Sequence, residues 1–181
     1  MLQFHELVLK NILRQDPDII FIGEIRDKFS LDIALQASLT GHLVLASIHS
    51  SSSVETITRL IDLKADPFLI STTLKAVMAQ RLVLAHCKSC ENGCKKCNFT
   101  KFYDRTSISE ILKVDEQISS LIFNKASFNE LKEYLKNINF KTMLDDGKQK
   151  VKDGLTTLEE VYKVVNFWWK NIELNIKKME K

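Results

Sequence analysis

Apolar residues along the first eighty positions follow a helical period and a strand-like run in turn. Phe4, Leu7, Val8, Ile12 and Leu13 recur at helical spacing, and that helix should stop before Asp16-Pro17, because a proline pushes its predecessor out of the helical region. Residues 18–23 (DIIFIG) form a short, nearly all-apolar run, the pattern of a parallel strand covered on both faces. Helical spacing returns over residues 31–40, where Ile33, Leu35, Ala37 and Leu39 are available to pack and Gly41 follows as a C-cap. Residues 42–49 (HLVLASIH) read as a second buried strand. Strand, helix and strand in that order predict a βαβ unit with a right-handed crossover.

The following segments carry helix start signals. Ser52-Ser53-Val54-Glu55 is a capping-box pattern opening a helix through about Leu63. Asp66-Pro67 supplies an N-cap followed by proline at the first helical position, for a helix expected to reach about Arg81. Beyond a cluster of cysteines, residues 102–112 look extended, and short helices follow. Ser127-Phe128-Asn129-Glu130 and Thr157-Leu158-Glu159-Glu160 are further capping boxes. In the tail, residues 166–181, Phe167, Trp168, Trp169, Ile172, Ile176 and Met179 step by threes and fours beside Lys170, Lys177 and Lys178. Such a helix would either pack on its own domain or a neighbouring subunit, the favoured outcome, or lie in a membrane interface.

Composition places the 181 residues among ordinary globular proteins, with 45% hydrophobic and 27% charged side chains and a mean hydropathy of −0.09. This is enough apolar material for a sizeable core. No apolar run approaches a bilayer span. The N-terminus, MLQFHELVLKNILRQ, carries charges through its apolar positions and lacks a small-residue cleavage site, so the chain reads as cytoplasmic. The net charge of +3 is unevenly spread: residues 1–80 hold seven basic and nine acidic side chains, residues 81–181 nineteen and fourteen. That mild asymmetry, without aromatic residues interleaved among the basic ones, argues against a nucleic-acid partner. The five glycines stand at 23, 41, 93, 147 and 154, and no two have the spacing a phosphate-cradling G-x-x-x-x-G-K-[ST] loop needs.

All four cysteines fall in one short stretch, Cys87-Lys-Ser-Cys90-Glu-Asn-Gly-Cys94-Lys-Lys-Cys97. Two C-x-x-C knuckles are the usual way to offer two thiolate pairs to tetrahedral Zn²⁺. Asn92-Gly93 supplies the reversal between them, and Lys88, Lys95 and Lys96 would offset the charge of a four-thiolate centre. Such a closed site serves folding and leaves no open position for catalysis. The alternatives are unliganded thiols or a redox pair.

In an open parallel sheet, ligands bind beyond the carboxyl ends of the strands. Glu24 follows the first predicted strand and His49 closes the second, so both fall on that edge. Glu24 after four apolar residues resembles the second nucleotide motif of phosphate-loop ATPases, in which the carboxylate polarises the attacking water or holds it to Mg²⁺, and His49 is placed to donate to a terminal phosphate. Arg26 and Asp27 could fix the turn or reach a phosphate. The plainer alternatives are a surface ion pair for Glu24 and Arg26, a polar strand terminus for His49, and ring packing at the strand start for His42.

The wording of these segments carries a resemblance. Leu13-Arg14-Gln15-Asp16-Pro17-Asp18 continuing through Gly23-Glu24-Ile25-Arg26-Asp27 resembles the Walker B region of the ATPases of type II secretion and type IV pilus assembly. Residues 36–49, from Gln36 through Thr40-Gly41-His42 to His49, are similar to that family's histidine box. Ala79-Gln80-Arg81-Leu82-Val83 followed by paired cysteines resembles the assembly and extension ATPases rather than the retraction ATPases. Ser107-Ile108-Ser109-Glu110-Ile111-Leu112 and Leu155-Thr156-Thr157-Leu158-Glu159-Glu160-Val161 match as well, so the resemblance runs over nearly all of residues 4–165.

The resemblance implies an α/β fold that is the C-terminal part of a RecA-like phosphate-loop ATPase core, with a tetracysteine zinc insert and a small helical C-terminal subdomain. It divides the chain into 1–82 (ATPase core with Walker B and histidine box), 83–106 (zinc insert), 107–165 (helical subdomain) and 166–181 (tail). It implies Glu24 as the catalytic glutamate, His42 and His49 as histidine-box residues near the terminal phosphate, Arg14 and Arg26 beside the nucleotide, and Cys87, Cys90, Cys94 and Cys97 as zinc ligands. For the complete protein it implies ATP and Mg²⁺, a homohexamer peripheral at the inner membrane, an inner-membrane platform protein and a cytoplasmic linker as partners, and ATP hydrolysis that powers secretion or pilus assembly. Two departures stand out: the phosphate loop and the family's N-terminal half, with its arginine fingers, have no counterpart here, and the interval between the cysteine pairs is shorter than usual. The chain alone is therefore expected to be inactive and to expose a sheet edge or apolar face. The alternative is a non-catalytic, zinc-stabilised protein-interaction module.

Overall fold

The computed structural model describes Gln15 and residues 17–165. The expected helix over residues 4–13, Arg14 and the tail fall outside them. The chain divides into two compact units, residues 1–77 with 112–140 and residues 78–111 with 141–181.

The first unit opens with β1 (Ile19–Ile22), α1 (Lys28–Leu39) and β2 (Leu43–Ala46). Asp27 starts α1 by accepting the Ser30 N–H on Oδ1 at 2.8 Å, so the helix begins one turn earlier than the apolar spacing suggests. β1 and β2 pair in parallel, Ile19 with Leu43 and Phe21 with Leu45, as the βαβ pattern predicts. Ile20 and Ile22 turn into a core with Leu31, Ala34 and Leu35 of α1. The opposite face is open. Ile19, Phe21, Leu43 and Leu45 are each more than half exposed, Phe21 at 73%, so the strands expected to be covered on both faces are covered on one.

Ser52 caps α2 (Ser53–Asp62) by accepting the Glu55 N–H at 3.1 Å. The reciprocal half of the predicted capping box is shifted by one residue, because the Glu55 carboxylate takes the N–H and hydroxyl of Ser51 instead. Asp66 and Pro67 start α3 (Pro67–Thr73) as predicted, but the helix stops eight residues short of Arg81. Leu74 turns extended, and β3 (Ala76–His86) runs on from it. Residues 76–81 have good helix formers, yet Val77, Ala79 and Val83 alternate inward while Met78 and Leu82 face out. The ladder with β4 (Phe102–Lys113) supplies the hydrogen bonds, and tertiary pairing overrides local propensity. Bonds from Val114 N to Lys75 O and from Cys87 N to Lys101 O flank this ladder and make it antiparallel. α4 (Glu116–Phe123) and α5 (Phe128–Asn137) complete the first unit, adding Ile118, Ile122, Leu131 and Leu135 to its core.

In the second unit α6 (Met143–Lys152) and α7 (Leu158–Val165) cover one side of the ribbon around Ala79, Val83, Ile108, Met143 and Val161. Polar bonds fix them there. Asp146 accepts the Ser109 N–H at 2.8 Å and Lys150 Nζ at 2.7 Å, and the Thr156 hydroxyl donates to the Leu84 carbonyl at 2.7 Å. Among the described residues no helix is long and apolar enough to cross a membrane.

Candidate functional site

The parallel ladder continues past the ends of β1 and β2 and brings their following residues together. Ser47 N–H donates to Ile22 O at 3.3 Å, and Ile25 N–H donates to Ser47 O at 2.8 Å. The Ser47 hydroxyl also donates to the Gly23 carbonyl. These bonds pin the Gly23–Ile25 turn against residue 47, so Glu24 and His49 project from one sheet edge.

There the Glu24 carboxylate has two partners. Oε1 lies 2.9 Å from His49 Nε2, and Oε2 accepts Arg26 Nε at 2.7 Å and a terminal guanidinium nitrogen at 2.6 Å. The Arg26 bond is the main reason the Glu24 carboxyl is held below its usual range, against a smaller opposing effect of desolvation. The charges of His49 and of Arg59, on α2, act in the same direction. Arg59 was not singled out by sequence reasoning. The signal was there in its phase, since it stands one helical turn beyond Glu55, whose side chain reaches back to the loop after β2.

The structure thus brings together Glu24, Arg26 and His49. His42 lies elsewhere, at the start of β2, on the order of 20 Å of extended chain from His49. Its Nδ1 is 3.0 Å from the Ala37 carbonyl and 3.1 Å from the Thr40 hydroxyl, which ties the end of α1 to the start of β2. Asp27 is occupied as the α1 N-cap, its carboxyl lowered by the Ser30 bonds. Arg14 falls outside the described residues.

In the second unit the four cysteines converge, with all Sγ atoms within 4.8 Å of one another. The distances are 3.6 Å for Cys90–Cys97, 3.9 Å for Cys94–Cys97 and 4.0 Å for Cys87–Cys94. A tetrahedron of thiolates about 2.3 Å from a zinc ion has edges of about 3.8 Å, which these three distances approach. Gly93 makes the reversal possible with φ +103°, and a Cβ there would sit 3.0 Å from the Phe99 backbone. A short 3-10 turn, Lys95–Cys97, presents the second pair. Cys94 N–H donates to Cys97 Sγ at 3.2 Å, the largest reason the Cys97 thiol is brought down to about 6. Desolvation, then the neighbouring thiols, push Cys90 up to about 12. Four converging sulfur atoms are a donor set suited to a soft or borderline cation. The four cysteines could bind a metal such as zinc.

A model of the type II/IV secretion system protein family matches residues 2–163. The chain is 42% identical over 167 residues to the type II secretion system protein HxcR of Pseudomonas aeruginosa, covering 87% of this chain and 36% of that protein. It is 39% identical over 182 residues to the type II secretion system ATPase E of Vibrio cholerae, covering 86% and 36%. It is 38% identical over 181 residues to the type IV pilus assembly ATPase PilB of Thermus thermophilus, covering 84% and 20%. The chain thus spans about a third or less of these relatives' lengths. Among solved structures, the pilus retraction motor PilT with bound ADP superposes with a TM-score of 0.68 at 28% identity, over 87% of this chain and 42% of that one. The Legionella pneumophila ATPase DotB gives 0.67 at 25%, over 87% and 41%.

Proposed function

The chain belongs to the type II/IV secretion system protein family, and we propose that it is the C-terminal portion of a RecA-like ATPase that powers type II secretion or type IV pilus assembly. One observation carries the reading. Glu24 and His49, each just past the carboxyl end of one of two adjacent parallel strands, meet at 2.9 Å, where an α/β sheet binds its ligand. In this reading Glu24 takes the proton of the attacking water or holds that water to Mg²⁺, and His49 donates to the terminal phosphate. Arg26 and Arg14 are the basic residues beside the nucleotide, and His42 fixes the strand that carries His49.

The expected division into 1–82, 83–106 and 107–165 does not follow the two compact units, so in this reading residues 1–77 with 112–140, α4 and α5 included, make the ATPase-core unit, and the cysteine loop and α6–α7 belong to the second. Cys87, Cys90, Cys94 and Cys97 would hold a structural Zn²⁺, their spacing supporting a closed four-thiolate site. ATP and Mg²⁺ are the complete protein's ligands, and Mg²⁺ would supply charge neutralisation at the terminal phosphates. The complete protein works as a homohexamer, cytoplasmic and peripheral at the inner membrane, against a platform protein and a cytoplasmic linker. No glycine pair in these 181 residues has phosphate-loop spacing, so this chain alone turns over no ATP.

The test is Glu24→Gln in the complete ATPase. The carboxamide keeps the shape but cannot accept the water's proton, so turnover should fall at least about a hundredfold while ATP stays bound. Wild-type turnover would make the Glu24 carboxylate structural and put the base elsewhere.

A further inference from the structure

Glu24 is more heavily engaged than a working general base. Both carboxylate oxygens are occupied, Oε2 by two nitrogens of Arg26 at 2.6 and 2.7 Å and Oε1 by His49 Nε2 at 2.9 Å. A base in this state has little capacity to accept a proton from water. Its partners are only lightly held: the Arg26 side chain is 76% exposed and that of His49 83%, against 21% for Glu24. Their bonds to Glu24 anchor both side chains at the edge. An exposed ion pair is a weak bond, and a guanidinium fork fits phosphate oxygens as well as it fits a carboxylate. Arg59 adds a further positive charge whose field reaches Glu24. Arg26 and His49 thus contact Glu24 and Arg59 acts on it through its charge, while the nearby Glu55 carboxylate of α2 is held by Ser51.

We propose that Arg26 is a positioning residue that closes Glu24 in the ligand-free edge and passes, with His49, to an incoming phosphate polyanion, which frees the carboxylate. The inference rests on the reading of Glu24 as the group that activates water. It gives Arg26 two successive partners. It also makes release of the base depend on arrival of the anion, so that Glu24 is not poised against water in an empty site. No covalent bond changes in this step, only the partner of each N–H.

The experiment uses the full chain, with carboxyl-¹³C glutamate and ¹⁵N arginine, observed by NMR with and without inorganic tripolyphosphate. In the free chain the Glu24 carboxyl should titrate below the ordinary carboxylate range, and the Arg26 Nε–H should shift in step with it. Tripolyphosphate should move the Arg26 resonance and raise the Glu24 midpoint. Arg26→Gln should raise that midpoint with no ligand present, remove the further response and weaken tripolyphosphate binding about tenfold, while Arg26→Lys keeps part of both. The proposal is overturned if millimolar tripolyphosphate leaves the Arg26 resonance and the Glu24 midpoint unmoved, since the pair is then a surface ion pair alone. It is equally overturned if Arg26→Gln titrates and binds as the wild type does. Either failure leaves the catalytic reading of Glu24 to its own test, turnover by the Glu24→Gln variant of the complete ATPase.

Discussion

Gly147 shows how one residue can be set by its neighbour and not by its own conformation. It sits inside α6, where alanine is ordinarily the better helix former by about 1 kcal/mol. A Cβ at this position, however, would come within 2.5 Å of Val161 Cγ1 on α7. Val161 is fully buried and β-branched, so its χ1 has little freedom to move aside. The clash should outweigh the helix gain, and Gly147→Ala should destabilise the chain by about 1–3 kcal/mol in urea unfolding. Val161→Ala should recover part of that loss in the double variant, a coupling expected only for residues in direct contact. If Gly147→Ala is as stable as the wild type, α6 and α7 do not approach as closely as described. At the same scale, Glu24 and His49 were legible because each ends a recognisable strand. The bonds of His42 to the end of α1 were not, because a histidine bonding a carbonyl five residues back leaves no mark on apolar periodicity.

At the scale of elements, what could be read ahead was what is local. Caps at Asp27, Ser52, Asp66, Ser127 and Thr142 are satisfied by bonds spanning two or three residues, and Ser52, Asp66 and Ser127 stand where the pattern asks for a helix start. The length of α3 was not legible, since β3 exists through a partner strand about thirty residues away. The cysteine knuckle lies at the turn of that ribbon, closed by Cys87 N–H to Lys101 O at 2.8 Å and Phe99 N–H to Cys94 O at 3.0 Å. Few apolar contacts hold this loop together, so the metal would contribute its folding energy there. Protein purified without added metal should contain about one zinc per chain. Cys94→Ser, or a strong chelator, should remove it and raise amide exchange across residues 86–106. The βαβ elements should keep their protection, because their core of Ile20, Leu31, Ile57 and Ile70 is separate from the second unit's. Metal-free protein with unchanged exchange in the loop would refute a structural zinc.

For the whole molecule, the open face of the β1–β2 sheet is the consequential feature. A parallel pair of strands is normally buried on both sides, and the run DIIFIG reads that way because its residues are apolar without alternation. Here Ile20 and Ile22 are packed while Ile19, Phe21, Leu43 and Leu45 stay in contact with water. A contiguous apolar surface of this kind promotes association, and exposed strand edges add hydrogen-bonding groups that pair with another chain. The chain on its own should therefore self-associate in a concentration-dependent manner. Phe21 and Leu45 are register partners on that face, 73% and 51% exposed, so the double variant Phe21→Thr/Leu45→Thr removes its apolar centre and puts in β-branched residues that suit a strand. Sedimentation velocity should show the wild type shifting to larger species as concentration rises and the variant remaining at one mass. Thermal stability should change little, since neither side chain lies in the core. If the variant associates as the wild type does, the open face is not the contact, and association runs through some other surface of the chain.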